Sequence, residues 1–166
     1  MVKFRLYYDK DKEEVFLNSM ANQGWCMERF ILGFYRFRPC EKGEYTYRID
    51  LTNDKSAAEL RDLFELIQDS GGEVVQTWGV WTIFRKRGSF ELYTDPQSKI
   101  SHYTRIRNLF FILALAETAI TVSNLMSAGR TQFPLIPGLL LGLISIVFWV
   151  QTVLSQHKIN QIKSAL

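Results

Sequence analysis

The sequence predicts an α+β fold: a soluble domain made of a duplicated strand-helix-strand-strand unit, mainly antiparallel with two helices, followed by a C-terminal two-helix transmembrane hairpin. Three observations carry this prediction. Charges are dense from Met1 to Arg107, whereas Leu109–Leu154 holds only Glu117 and Arg130. Two apolar runs within that stretch, from Leu109 and from Phe133, each reach the roughly 20 residues, or about 30 Å of helix, that a bilayer core requires. Before them, one order of alternating and helical periodicities occurs twice.

In the soluble part, Lys3–Tyr8 alternates, with Phe4, Leu6 and Tyr8 on one face, and is read as a strand. A helix follows on the stripe Phe16, Leu17, Met20 and Ala21 and ends before Gly24. Trp25–Ile31 and Phe34–Pro39 are two strands around a turn at Leu32-Gly33. The order then recurs. Tyr45–Leu51 sets Tyr45, Tyr47 and Ile49 against Thr46, Arg48 and Asp50, which places Arg48 and Asp50 on a solvent face. Ser56 and Glu59 form a capping box ahead of Leu60, Leu63, Phe64 and Ile67, and this helix stops at Gly71-Gly72. Val74–Trp78 and Val80–Lys86 close the second half around Gly79. Local echoes support a duplication: NQGWCMERF against DSGGEVVQT, and FYRFRP against WTIFRK. The expectation is one sheet or two small sheets with both helices on one face. With Gly33 at the centre of the first hairpin, Cys26 faces Cys40 and Glu28 faces Arg38.

The chain divides into a cytoplasmic α+β domain (1–95), a juxtamembrane helix or linker (96–107), the hairpin (108–156) and a tail (157–166). The connector GRTQFP is too short to form a domain, so the helices run antiparallel. Lys99, Arg105 and Arg107, with Arg85, Lys86 and Arg87 behind them, precede the first span; Lys158 and Lys163 follow the second; the connector holds only Arg130. Positive-inside bias then puts both termini in the cytoplasm. A reducing compartment would keep Cys26 and Cys40 as free thiols. MVKFRLYYDKDKEE has no apolar core and is not read as a signal peptide.

Inside the first span, Glu117 sits where a carboxylate is costly. It is either a hydrogen-bond anchor among Thr118, Thr121 and Asn124 on a paired helix, or a proton- or cation-sensitive site. Gly138 and Gly142 form a GxxxG with Ser145 on nearly the same face. Small residues at that spacing let helix backbones approach, within a chain, in a homo-oligomer or against a membrane-protein partner.

The segments LNSMANQGW, YTYRID, LFELIQDSGGEVV and WGVWTIFRK, ahead of a hydrophobic hairpin, resemble the bacterial membrane-protein family of domain of unknown function 2812. Gly24-Trp25, Tyr47-Arg48-Ile49-Asp50, and Trp81 with Phe84-Arg85 carry the resemblance. Gly71-Gly72 departs from it, because the family more often has Gly-Trp and an aromatic ring is lost here. The resemblance implies a membrane-anchored bacterial protein, often encoded beside PadR-like regulators and sometimes near efflux transporters. It supplies no catalytic residue. At the level of topology the duplicated unit also resembles GyrI-like effector-binding domains, which hold bulky, often cationic drugs between their halves.

These observations point to a sensory or regulatory adaptor in the cell membrane. Trp25, Tyr47, Trp78 and Trp81 lie on predicted strands, and with Arg48 and Asp50 they form the candidate site for an amphipathic small molecule. The alternative is a transporter subunit that uses Glu117, with Asn124 beside it on the span. No nucleophile elbow, P-loop or HExxH occurs, and the two cysteines are not in a metal-binding spacing. No catalytic residue, metal or cofactor is therefore assigned. The basic FRKRG and YTRIRN segments are read as meeting the lipid bilayer rather than nucleic acid.

Overall fold

The computed structural model describes residues 1–128 and 135–166. It forms two compact units, Met1–Leu92 and Tyr93–Leu166.

The first unit is a tandem of two modules. One comprises β1 (Val2–Phe4), α1 (Lys10–Asn22), β2 (Trp25–Ile31) and β3 (Phe34–Pro39); the other comprises β4 (Tyr45–Leu51), α2 (Ala57–Asp69), β5 (Gly72–Trp78) and β6 (Trp81–Arg87). Each makes a three-stranded antiparallel sheet with its last strand central, β1-β3-β2 and β4-β6-β5. The helices start at Lys10 and Ala57, and the strands after them at Trp25 and Gly72, an offset of 47 residues in both cases. The register of β2 shifts between Met27 and Arg29, and that of β5 between Val74 and Gln76, so the bulges are equivalent as well. The duplication extends to strand order and register.

Capping chemistry fixes the helix starts. The Asp9 side chain accepts from the Asp11 N–H at the head of α1. At α2 the Ser56–Glu59 capping box is complete, each side chain accepting the other residue's backbone N–H.

Two apolar clusters hold the unit together. Leu17, Met20 and Ala21 of α1 pack with Met27, Tyr35, Phe37, Tyr47, Ile49 and Ile83. Ile67, Phe84 and Phe90 form the second cluster, with Leu63, Phe64 and Leu92 against it. Ile83 and Phe84 are consecutive in β6 and so point to opposite faces of its sheet. The helices thus do not share one face: α2 covers the Phe84 face, and the first cluster covers the Ile83 face.

Other expectations are also revised. The first strand ends at Phe4, and Phe4, Leu6 and Tyr8 are exposed. Tyr7, on the opposite side of that alternation, is the residue that packs on the first cluster. The bulge places Cys26 opposite Arg38, and Glu28 pairs instead with Arg36 at 2.8 Å. Cys26 and Cys40 are not free thiols: they form a disulfide, with Cα atoms 5.8 Å apart. Arg48 and Asp50 face Phe84 and Thr82 across the ladder, on the side α2 covers, so they do not lie on a solvent face.

The second unit pairs α3 (Pro96–Ala128) with α4 (Leu135–Ser164). Both are long and apolar enough to cross a membrane. Contacts run antiparallel: Arg107 donates to Gln156 at 2.8 Å, Phe110 meets the Phe148 ring, and the Thr118 and Ser145 hydroxyls are 2.9 Å apart. A Cβ on Gly142 would sit 3.7 Å from Thr121 Cγ2, and one on Gly138 would sit 3.8 Å from Leu125 Cδ2. Gly138, Gly142 and Ser145 therefore all face α3. The connector, with Arg130, lies outside the described residues.

Candidate functional site

The densest chemistry of the first unit lies along α1. Helical spacing aligns Lys10, Glu14 and Asn18 at intervals of four, so that they share one face. β4 is an edge strand, and its outer backbone groups need partners. Asn18 supplies two of them: its Oδ1 accepts from the Tyr47 N–H at 2.7 Å and its Nδ2 donates to the Tyr47 carbonyl at 3.2 Å. The Glu14 carboxylate accepts from the Ile49 N–H at 2.8 Å and pairs with Lys10 at 3.2 Å. Burial raises the Glu14 carboxyl above its ordinary range, against the pull of Lys10, the Ile49 N–H and Arg48. Burial acts on the Lys10 ammonium in the opposite sense to its neighbours, and the carboxylates of Glu14 and Asp11 leave it raised.

One residue from Glu14, on an adjoining face, Glu13 accepts the Tyr35 hydroxyl at 2.6 Å. Tyr7 and Phe16 extend an aromatic group from the Tyr35 ring: the rings of Phe16 and Tyr35 are 5.3 Å apart, and those of Tyr7 and Phe16 are 5.5 Å apart. Phe30 lies over Tyr35 at 4.7 Å. Burial raises the Glu13 carboxyl; the Tyr35 hydrogen bond lowers it, and the neighbouring Glu14 carboxylate raises it further. Burial also raises the Tyr35 hydroxyl, as does its bond to Glu13, so the proton stays on the phenol. Glu13, Tyr7 and Phe16 are half-buried and thus reach the surface. A half-buried carboxylate beside aromatic side chains can attract an apolar cation.

The sequence-predicted ligand residues are placed differently. Tyr47 is wholly buried and its hydroxyl accepts from the Met27 N–H at 2.9 Å. Trp25 and Trp81 pack against the first cluster. Trp78 is exposed, with its ring 5.6 Å from Phe30. Arg48 donates to Glu91 at 2.5 Å and to the Tyr47 carbonyl at 2.9 Å. Asp50 is 1% exposed and lies opposite Thr82. Tyr47 thus belongs to the core, Trp25 and Trp81 are half-buried against it, and Arg48 and Asp50 point to the other face of their sheet. The group around Glu13 was missed because Tyr7, Glu13, Phe16 and Tyr35 come from three segments, and no local spacing joins them.

Cys26, Cys40 and Glu44 bring three potential metal donors within 4.8 Å of one another. The two sulfurs are bonded to each other, and the Glu44 carboxylate accepts from Arg87 at 2.9 Å. In this state the trio offers a cation only one already engaged carboxylate.

In the second unit, Thr118 is a polar residue that links the two helices. It bonds Ser145 and accepts from Trp149 Nε1 at 3.1 Å. Glu117 is half-buried, and its Oε2 meets no hydrogen-bond partner among the described residues. Asn124 is half-buried on the same helix.

No curated protein and no solved structure matches the chain. A family model does match, over residues 9–115, which take in α1, both sheets from β2 onward and the first half of α3. The chain belongs to that family, described as protein of unknown function DUF2812.

Proposed function

We propose that the chain is a sensory or regulatory adaptor tethered in the bacterial cell membrane. α3 and α4 hold it there, and the first unit binds an amphipathic cation or a partner protein. The observation that carries the ligand reading is the half-buried Glu13 carboxylate within the aromatic group of Tyr7, Phe16 and Tyr35. The length and apolarity of α3 and α4 support the tether.

The balance of Lys and Arg around the two helices favours cytoplasmic termini. The disulfide favours an oxidising compartment. We give the charge bias more weight, because it sums several residues at the outer ends of both helices, whereas the disulfide is a single bond whose Cys40 sulfur belongs to a half-buried residue within reach of a cellular thiol.

The test is a thermal shift of the whole chain in detergent with a series of aromatic quaternary-ammonium compounds. Wild type should be stabilised and Glu13→Gln should not. Equal shifts, or none in either, would count against the site.

A second reading rests on the Glu117 Oε2. A carboxylate oxygen without a hydrogen-bond partner among the described residues, on a helix long enough to span, favours a transporter subunit or a helix partner in the membrane. Glu117→Gln should then alter drug resistance or proton-coupled uptake; an unchanged phenotype at normal expression would remove this reading.

A further inference from the structure

The two modules treat one equivalent sheet face in opposite ways. In the second module the face bearing Ile49, Trp81 and Ile83 closes the first apolar cluster. The residues 47 positions earlier are Val2, Phe34 and Arg36, and all three are exposed. The ladder arranges this open face in cross-strand rows. Phe4, Phe34 and Ile31 form one row, and Val2, Arg36 and Arg29 form the next. Beyond the apolar row is the hairpin tip, where Leu32 is 69% exposed and Leu6 is 74% exposed. The tip is continuous with the row: a Cβ on Gly33 would lie 2.8 Å from both Phe4 Cε2 and Leu6 Cδ2.

Two features of this face cost stability. Arg29 stands directly opposite Arg36, a like-charge cross-strand pair, and Glu28 is paired to Arg36. Leu32 has φ 48°, a conformation that disfavours a side-chain-bearing residue such as leucine; the equivalent position in the second hairpin is Gly79. An exposed leucine in a strained turn, followed by an apolar row and then by arginines, is arranged for a surface that is apolar in depth and anionic at its boundary. Successive rows are about 7 Å apart, from about 3.4 Å per strand residue. That matches the roughly 5–10 Å to which interfacial segments sink into the headgroup region. Contact between two copies of this face would bring two sets of Arg29, Arg36 and Arg38 to one interface, adding like charge to it.

We propose that this face of the first module docks on an anionic bilayer surface, with Leu32, Leu6 and Phe34 inserted and Arg29, Arg36 and Arg38 on lipid phosphates. The inference rests on the membrane tether proposed above, which would hold the face close to lipid. The test is amide exchange in residues 28–38 of the whole chain in nanodiscs, phosphatidylglycerol-rich against phosphatidylcholine alone. Exchange should be slower in the anionic discs. Arg29→Gln should reduce that protection about fivefold, the factor for one cation of about 1 kcal/mol at an anionic surface. Leu32→Asn should abolish most of it while raising the melting temperature in detergent, because Asn tolerates the turn. Protection that is equal in the two lipids, absent in both, or dependent on the number of chains per disc would overturn the proposal, the last by identifying a second copy as the occupant. Retention of the chain on the discs through a high-salt wash reads the tether separately, so its failure is distinguishable from failure of the docking.

Discussion

The side-chain amide of Gln76 replaces a neighbouring strand for Phe30. Its Oε1 accepts from the Phe30 N–H and its Nε2 donates to the Phe30 carbonyl, both at 2.7 Å. Gln76 follows the β5 bulge, and Phe30 lies on the outer edge of β2. The bonds join the two sheets where no ladder runs. Gln76→Ala should cost about 1–3 kcal/mol, the penalty for leaving half-buried backbone groups unpaired. Denaturant unfolding of the whole chain in detergent would measure it, and Gln76→Glu, which keeps the acceptor and loses the donor, should also be destabilised.

Glu13 should give stability a pH dependence of definite sign. Its folded carboxyl titrates above the ordinary 4.5, so between that value and the raised one the folded state binds more protons than the unfolded state. Its contribution is fully present below the ordinary value and is lost as pH rises through the raised one. Glu13→Gln should remove this slope and flatten the decline in melting temperature across that window. A variant that parallels wild type at every pH would refute the assignment.

The disulfide closes a segment of 14 residues. Loop-closure entropy for that length predicts about 3 kcal/mol of stabilisation. Wild type treated with a dithiol reductant, and Cys40→Ser without it, should both unfold at lower denaturant by a similar amount. Unchanged midpoints would mean that the bond adds nothing to the fold.

Gly142 sets how closely α4 approaches α3. A Cβ there meets Thr121 Cγ2 at an ordinary 3.7 Å, so Gly142→Ala should be accommodated. Gly142→Leu should force the helices apart and break the Thr118–Ser145 contact one turn away. Cross-linking of engineered cysteine pairs between the helices in membranes would distinguish the two variants.

Much of the fold is legible in the sequence because its signals are local. Ser56 and Glu59 are three residues apart, and each satisfies the other's backbone, so the capping box appears as a pattern. The echo of NQGWCMERF in DSGGEVVQT follows the 47-residue offset that the two modules keep. The bulges at Glu28 and Val75 were not legible, since no residue type there demands one, and they displaced the expected partner of Glu28 by two residues. At the N-terminus periodicity misled: Phe4, Leu6 and Tyr8 alternate as a core face would, yet the core takes Tyr7. Alternation reports two faces; which one is covered depends on what the rest of the chain brings to it. For the same reason the rings suspected of binding a ligand, Tyr47 and Trp81, lie in or against the core, while Glu13 and Tyr35 meet across 22 residues of sequence.

Alkaline extraction shows whether α3 and α4 tether the first unit in a membrane. Membranes from cells expressing the chain are washed with carbonate and sedimented. The chain should stay in the pellet, and a variant with charged residues at Leu113, Ile120, Leu143 and Val147 should be released. Recovery of the wild-type chain in the supernatant would contradict the tether.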